Sequence, residues 1–190
     1  MKHLMKAVAA AFVIALLYAG LSGMQTSEEA PPGTRNDSIY EAAVSLIKRY
    51  ETIHQPRHWP FVGYGHKILP GEKFSRTRAL SEEESDRLLR SDLDKNIARF
   101  RSFGRDSLLL GVLAYNIGPG AVARSEIVRK LAAGDRDIYE LYLSHCRYRG
   151  KAIPSIRRRR QEEYDLLFNA LREEMLIEAA DSMAPILPVA

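Results

Sequence analysis

The chain has 190 residues, 46% hydrophobic and 27% charged, which is ample for one packed domain and too apolar for a disordered chain. The formal charge is +4, and setting aside Lys2 and Lys6 leaves an excess of two basic residues; that mild balance suits an anionic polymer and gives no reason to expect nucleic acid as a partner. The single cysteine, Cys146, excludes an internal disulfide, and its neighbour His145 is no catalytic partner because adjacent helix residues do not face each other.

Residues 1–6, MKHLMK, are basic, and the 18 residues from Ala7 to Met24 carry no charge. A positive start, an apolar run and small residues at Gly20 and Ser22 read as a signal peptide over 1–24. The run is also long enough for an uncleaved N-terminal membrane anchor. Both alternatives stay open, and both export the remainder to the periplasm or cell envelope, with membrane contact only through this segment. Residues 25–37, with Pro31, Pro32 and Gly33, read as a linker.

A domain is expected over 38–175. Ser38 and Glu41 are spaced as a capping box for a first helix, Ser38–Glu51, with Ile39, Ala42, Ala43, Leu46, Ile47 and Tyr50 on its apolar face. Three prolines and three glycines between residues 52 and 80 forbid a long helix and predict a short hairpin or irregular sheet. Ser81 and Glu84 cap a second helix whose inner side is Leu88, Leu89, Leu93, Ile97 and Phe100, ended by Gly104. Residues 106–117 are apolar almost all round, as a central buried helix requires. Shorter helices fit 124–133 and 136–146, and a last one fits 155–175. Residues 176–190, with Pro185 and Pro188, read as a tail.

Four motifs lie in order on this layout: Ile47-Lys48-Arg49-Tyr50-Glu51, Val62-Gly63-Tyr64-Gly65-His66, Leu80-Ser81-Glu82-Glu83-Glu84 with Leu88, Leu89 and Asp92, and Leu113-Ala114-Tyr115-Asn116-Ile117-Gly118 followed by Leu131-Ala132-Ala133-Gly134-Asp135. Together they resemble the phage-type lysozymes, glycoside hydrolase family 24, over residues 39–171. The resemblance implies an α+β, mainly α, lysozyme-like fold, with a small N-terminal hairpin lobe packed on a larger helical lobe. It implies hydrolysis of the β-1,4 bond between N-acetylmuramic acid and N-acetylglucosamine. The partner would be peptidoglycan glycan strands, bound by a monomer without cofactor or metal. It places Tyr64, His66 and Asn116 near the substrate.

Glu51 is the expected general acid. Glycoside cleavage needs a carboxylic acid to protonate the leaving oxygen, kept protonated by burial. A Glu at a helix end just before a hairpin can face a cleft, with Tyr50, Ile53, Trp59 and Phe61 as apolar cover; taken alone, such a residue is more often a solvated helix end. The chain departs from the family between Glu51 and Gly63. Relatives carry an Asp or Cys and then a Thr in this stretch, whereas TIHQPRHWPFV has no acid and no Cys, and Phe61 stands at the usual Thr position. Inversion needs a base about 6.5–9.5 Å from the acid. His54 and His58 are the candidates, with Glu72 a more distant one. His54, His58 and His66 make a poor zinc set, since the loop is broken by prolines and offers no fourth ligand. Two other readings stay open: a lytic transglycosylase using Glu51 alone, and a wall-binding domain without catalysis. The run Arg157-Arg158-Arg159-Arg160 is expected in salt bridges or against anionic wall polymers rather than on DNA.

Overall fold

The computed structural model describes residues 34–169, and the described residues from Arg35 onward form one compact unit. The expected signal or anchor segment, most of the linker and the 176–190 tail lie outside them.

Helix α1 runs Thr34–Tyr50 and buries Ala43, Val44, Leu46 and Ile47. It starts four residues before Ser38, so Ser38 is no cap. Glu41 instead holds the Arg90 guanidinium of the next long helix through two bonds of 2.5 and 2.8 Å. A cross-helix ion pair has outcompeted the local cap. A turn of 3-10 helix at Pro56–His58 leads into strand β1, Phe61–Val62, which pairs antiparallel with β2, His66–Lys67. The expected hairpin is therefore present, with Val62 opposite His66.

Helix α2 spans Glu82–Arg99, and its capping box forms as its sequence requires. Ser81 Oγ accepts from Glu84 N at 3.1 Å, and the Glu84 carboxylate accepts from Ser81 N at 2.7 Å. It buries Ser85, Leu89 and Leu93, and Phe100 just beyond its end is buried too. A 3-10 turn, Arg101–Phe103, follows, and Gly104 closes it at φ 56°.

Helix α3, Asp106–Ile117, is the centre of the domain. Its residues Leu109 to Ala114 are all buried, as its unbroken apolar sequence demands. Helices α2 and α3 touch through Gly111. A methyl group there would lie 2.6 Å from Ile97 Cγ1 and 3.1 Å from the Ile97 backbone nitrogen.

The stretch after α3 is more divided than its sequence predicts. Pro119 opens α4, Pro119–Ala123, directly after Gly118 turns the chain at φ 86°. Proline is well suited to a first helical position, where its missing N–H has no partner to lose. Then come α5, Glu126–Ala132, and α6, Tyr139–Ser144. The helix expected over 136–146 is thus shorter at both ends, and a second short hairpin, β3 Arg147–Tyr148 with β4 Lys151–Ala152, follows it. Helix α7, Pro154–Tyr164, widens into a π-type turn at Asp165–Asn169. Its inner side combines Tyr164, Leu167 and Phe168 with two buried arginines, Arg159 and Arg160.

Candidate active site

Three helices and the hairpin bring the site together. Glu51 follows the last residue of α1, and its N–H still donates to Ile47 O at 2.8 Å, which continues the helical ladder by one residue. Its side chain is 22% exposed. Carboxylate oxygen Oε1 accepts from Arg159 Nη1 of α7 at 2.5 Å and from Asn116 Nδ2 of α3 at 3.2 Å. The other oxygen, Oε2, faces the hairpin turn: a methyl group at Gly65 would stand 3.7 Å from it. The carboxyl group thus sits at the junction of the hairpin and the helices, one oxygen tied to the helices and the other turned to the hairpin.

The turn owes its shape to its glycines. Gly63 and Gly65 have φ of 54° and 96°, conformations that a side chain strains. Glycine at 65 also leaves empty the volume next to Glu51 Oε2. Tyr64, between them, points away from that volume in its hydrogen bonding: its hydroxyl donates to the Glu82 carboxylate at 2.6 Å, and burial with that bond pushes its pKa up to about 12. The Tyr64 carbonyl accepts from Tyr115 OH of α3 at 2.8 Å, which fixes the turn to the central helix.

The three loop histidines go to three different places. His54 lies beside the Glu51 carboxyl, with Cε1 3.8 Å from the same Gly65 methyl position. Its Nδ1 is 3.2 Å from both Thr52 O and Gly63 O. His58 packs edge-on against His54 at 5.0 Å between ring centres. Its Nδ1 accepts from Gln55 N at 3.0 Å, capping the 3-10 turn. Burial, then the charge of Arg57, lowers its pKa. His66 is buried under the hairpin, with Nδ1 2.5 Å from Asp92 Oδ2 and Nε2 2.7 Å from Glu72 Oε2. Carboxylate oxygens only accept, so the two contacts favour the doubly protonated ring and raise its pKa. His66 and Glu72 are engaged with each other there, on the side of the hairpin next to α2.

Behind Glu51 is a network that sequence reasoning did not find. Arg159 Nε donates to Glu163 Oε1 at 2.8 Å, and Glu163 Oε2 accepts from Arg160 and from Tyr142 OH at 2.9 Å. Arg160 also donates to Asn116 Oδ1 and, through Nε, to His145 O at 3.1 Å. Glu51, Arg159, Glu163, Arg160 and Asn116 therefore form a closed ring of hydrogen bonds. Arg160 and Glu163 are fully buried and Arg159 almost so. The signal was present in the sequence: Arg159 and Arg160 precede Glu163 by four and three positions, which places all three on one side of a helix. In the run of four, Arg157 and Arg158 are exposed, and only the second pair turns inward.

A surface groove between the 73–80 loop and α2 is separate from this site. Its charged wall is the Arg78–Glu84 pair, and neither Glu51 nor His54 lines it. Among the described residues no helix is long and apolar enough to cross a membrane.

Comparison with known proteins points one way. The phage lysozyme family model matches residues 48–163, from the last turn of α1 to the Glu163 of the buried ring. An endolysin of Bacillus phage B103 is 27% identical over 148 residues, covering 68% of this chain and 53% of its own length. The chain thus spans about half the length of that relative. Two solved structures share the fold. The muramidase domain of SpmX from Asticaccaulis excentricus matches at TM-score 0.55 and 23% identity, covering 67% of this chain and 95% of that one. The endolysin of Escherichia coli O157:H7 phage FAHEc1 matches at TM-score 0.56 and 18% identity, covering 77% and 98%. The mainly helical α+β fold is lysozyme-like.

Proposed function

Because the chain belongs to the phage lysozyme family, we propose that it cleaves the glycan strands of peptidoglycan at the β-1,4 bond between N-acetylmuramic acid and N-acetylglucosamine, with Glu51 as general acid. One observation carries this reading above all. A partly exposed carboxyl group is held by one oxygen at the meeting of α1, α3, α7 and the hairpin, with its second oxygen turned to Gly65, which has no side chain. A proton donor needs that division of labour. Oε1 is occupied by two N–H donors, so the transferable proton belongs on Oε2, where a leaving oxygen can approach. The chain's own rigid parts supply orientation: Arg159 and Asn116 fix the carboxyl plane before substrate arrives, which is how positioning lowers a barrier.

Such a substrate lies outside the cytoplasmic membrane, and the charge-free run 7–24 is the sequence feature that would take the chain there. Glu51→Gln keeps the volume and the acceptor oxygen but has no acid proton. Release of muropeptides from purified sacculi by this variant is expected to fall by about 10²–10⁴-fold. Equal release by Glu51→Gln and wild type rejects Glu51 as the acid. Absence of release by both, with sacculi still pulled down, rejects the enzyme and leaves a wall-binding domain.

A further inference from the structure

We propose that His54 is the general base of this site and takes the proton, through Nε2, from the water that attacks the anomeric carbon. The inference rests on the glycosidase reading of Glu51 given above.

The backbone sets the tautomer. His54 Nδ1 lies 3.2 Å from Thr52 O and 3.2 Å from Gly63 O. A carbonyl oxygen only accepts, so the ring hydrogen belongs on Nδ1, and the neutral ring then carries its lone pair on Nε2. The same Gly63 oxygen accepts from the His54 backbone N–H at 2.7 Å. Ring and main chain are therefore clamped to one point of the hairpin turn.

The geometry directs the ring toward Glu51. Cε1, bonded to Nε2, is 3.8 Å from the position of a Gly65 methyl, and Glu51 Oε2 is 3.7 Å from that same position. The two side chains border one small volume that exists because residue 65 has no side chain. Their separation is no greater than those two distances laid end to end. That bound lies within the upper limit of the roughly 6.5–9.5 Å that inversion needs between acid and base.

The neighbouring groups are already committed. His58 Nδ1 accepts from Gln55 N and caps the 3-10 turn, so the ring hydrogen of the neutral imidazole belongs on its Nε2, which then offers no lone pair. Both nitrogens of His66 face carboxylates, and Glu72 holds His66 and the Leu69 N–H. From Thr52 to Val62 there is no carboxylate at all. Among the histidines and carboxylates of the described hairpin segment, His54 is the proton acceptor left to serve Glu51.

Glu51 gives its proton to the glycosidic oxygen, and the bond from that oxygen to the anomeric carbon breaks. The oxygen of water bonds to the same carbon from the opposite face, and the proton it sheds passes to His54 Nε2. Glu51 is left as carboxylate and His54 as imidazolium, and solvent restores both. The product has inverted configuration at the anomeric carbon.

The test compares His54→Asn and His54→Ala with the wild-type full chain on soluble glycan fragments of peptidoglycan. The Asn amide nitrogen takes the place of Nδ1 and keeps the bond to Gly63 O, but it offers no base. Both variants are expected to lose about 10²–10⁴-fold in kcat with KM little changed, and His54→Asn to melt close to wild type. Azide needs no deprotonation, so it is expected to restore turnover of His54→Ala and yield a glycosyl azide of inverted configuration. Wild-type activity in His54→Asn overturns the proposal and leaves His54 a loop anchor. Anhydro-sugar ends in the wild-type products also overturn it, because no water is then activated. If Glu51→Gln is inactive while His54→Asn is active, only the base assignment fails. If wild type does not cleave, the glycosidase reading fails and takes this one with it.

Discussion

At the scale of single residues, Glu163 carries more than its position in the sequence suggests. It is fully enclosed and accepts from Arg159, Arg160 and Tyr142. A buried charge is tolerable only when paired and hydrogen-bonded, and here one acid balances two guanidiniums that also reach Glu51 and Asn116. Removing one partner of such a set is far costlier than never having built it, because the remaining charges stay buried. Glu163→Ala is therefore expected to lower stability by about 3–5 kcal/mol in urea unfolding. It should also lower activity in the fraction that remains folded, since Arg159 loses the contact that aims it at Glu51. A loss of stability no larger than that of an exposed salt bridge, about 0–1 kcal/mol, would show that the ring does not hold these arginines.

At the scale of elements, the decisive contact is the crossing of α2 and α3 at Gly111. Helices approach as closely as the side chains between them allow, and this crossing is limited by a hydrogen atom. Gly111→Ala gains helix propensity, worth up to about 1 kcal/mol on an open surface. Here the methyl would meet Ile97 Cγ1 at 2.6 Å and its backbone nitrogen at 3.1 Å. The side-chain atom can rotate away and the backbone atom cannot. Overpacking is expected to win, with a net loss of about 1–3 kcal/mol and a fall in melting temperature. A stabilised Gly111→Ala variant would mean that the crossing is looser than these distances. The hairpin is secured in the opposite manner, by polar bonds rather than close packing: Tyr64 to Glu82, His66 to Asp92, and Tyr115 to Tyr64 O. A hairpin of two-residue strands has too little surface to stand alone, so its place beside Glu51 depends on those bonds.

For the whole molecule, that dependence predicts how stability responds to pH. Burial by itself lowers the pKa of His66, but its hydrogen bonds to Glu72 and Asp92 outweigh burial and raise it. A raised folded pKa gives stability that is complete below the ordinary histidine value, ~6.5, and is lost as pH rises through the higher folded value. Glu72 goes the other way. The Leu69 N–H and then His66 hold its carboxyl below the usual range. Its contribution is present above ~4.3 and fades as pH falls through the folded value. The tie between hairpin and α2 is accordingly strongest between about pH 4.3 and 6.5. The melting temperature of wild type is expected to exceed that of His66→Gln most within this window, with the gap narrowing toward pH 9. A gap that does not change with pH rejects the ion-paired triad.

Much of this architecture was legible in one dimension because it depends on local pattern. The apolar run of 106–117 could only be a buried helix, Ser81 and Glu84 cap each other across three residues, and paired glycines around Tyr64 require a tight turn. The position of Glu51 was legible for the same reason: it ends a helix just ahead of that turn. Local pattern misled where a distant partner competed. Glu41 left its expected cap for Arg90, forty-nine positions away, and the helix began earlier. The pairing of Arg159 with Glu51 spans 108 positions, and no periodicity connects them. Which arginine of a run of four turns inward, and which of three histidines lies beside the acid, depends on how helices cross and where a loop is pinned. Local sequence sets the shape of each piece because its forces act over a few residues; the ring around Glu51 exists only once folding brings far segments within hydrogen-bond reach.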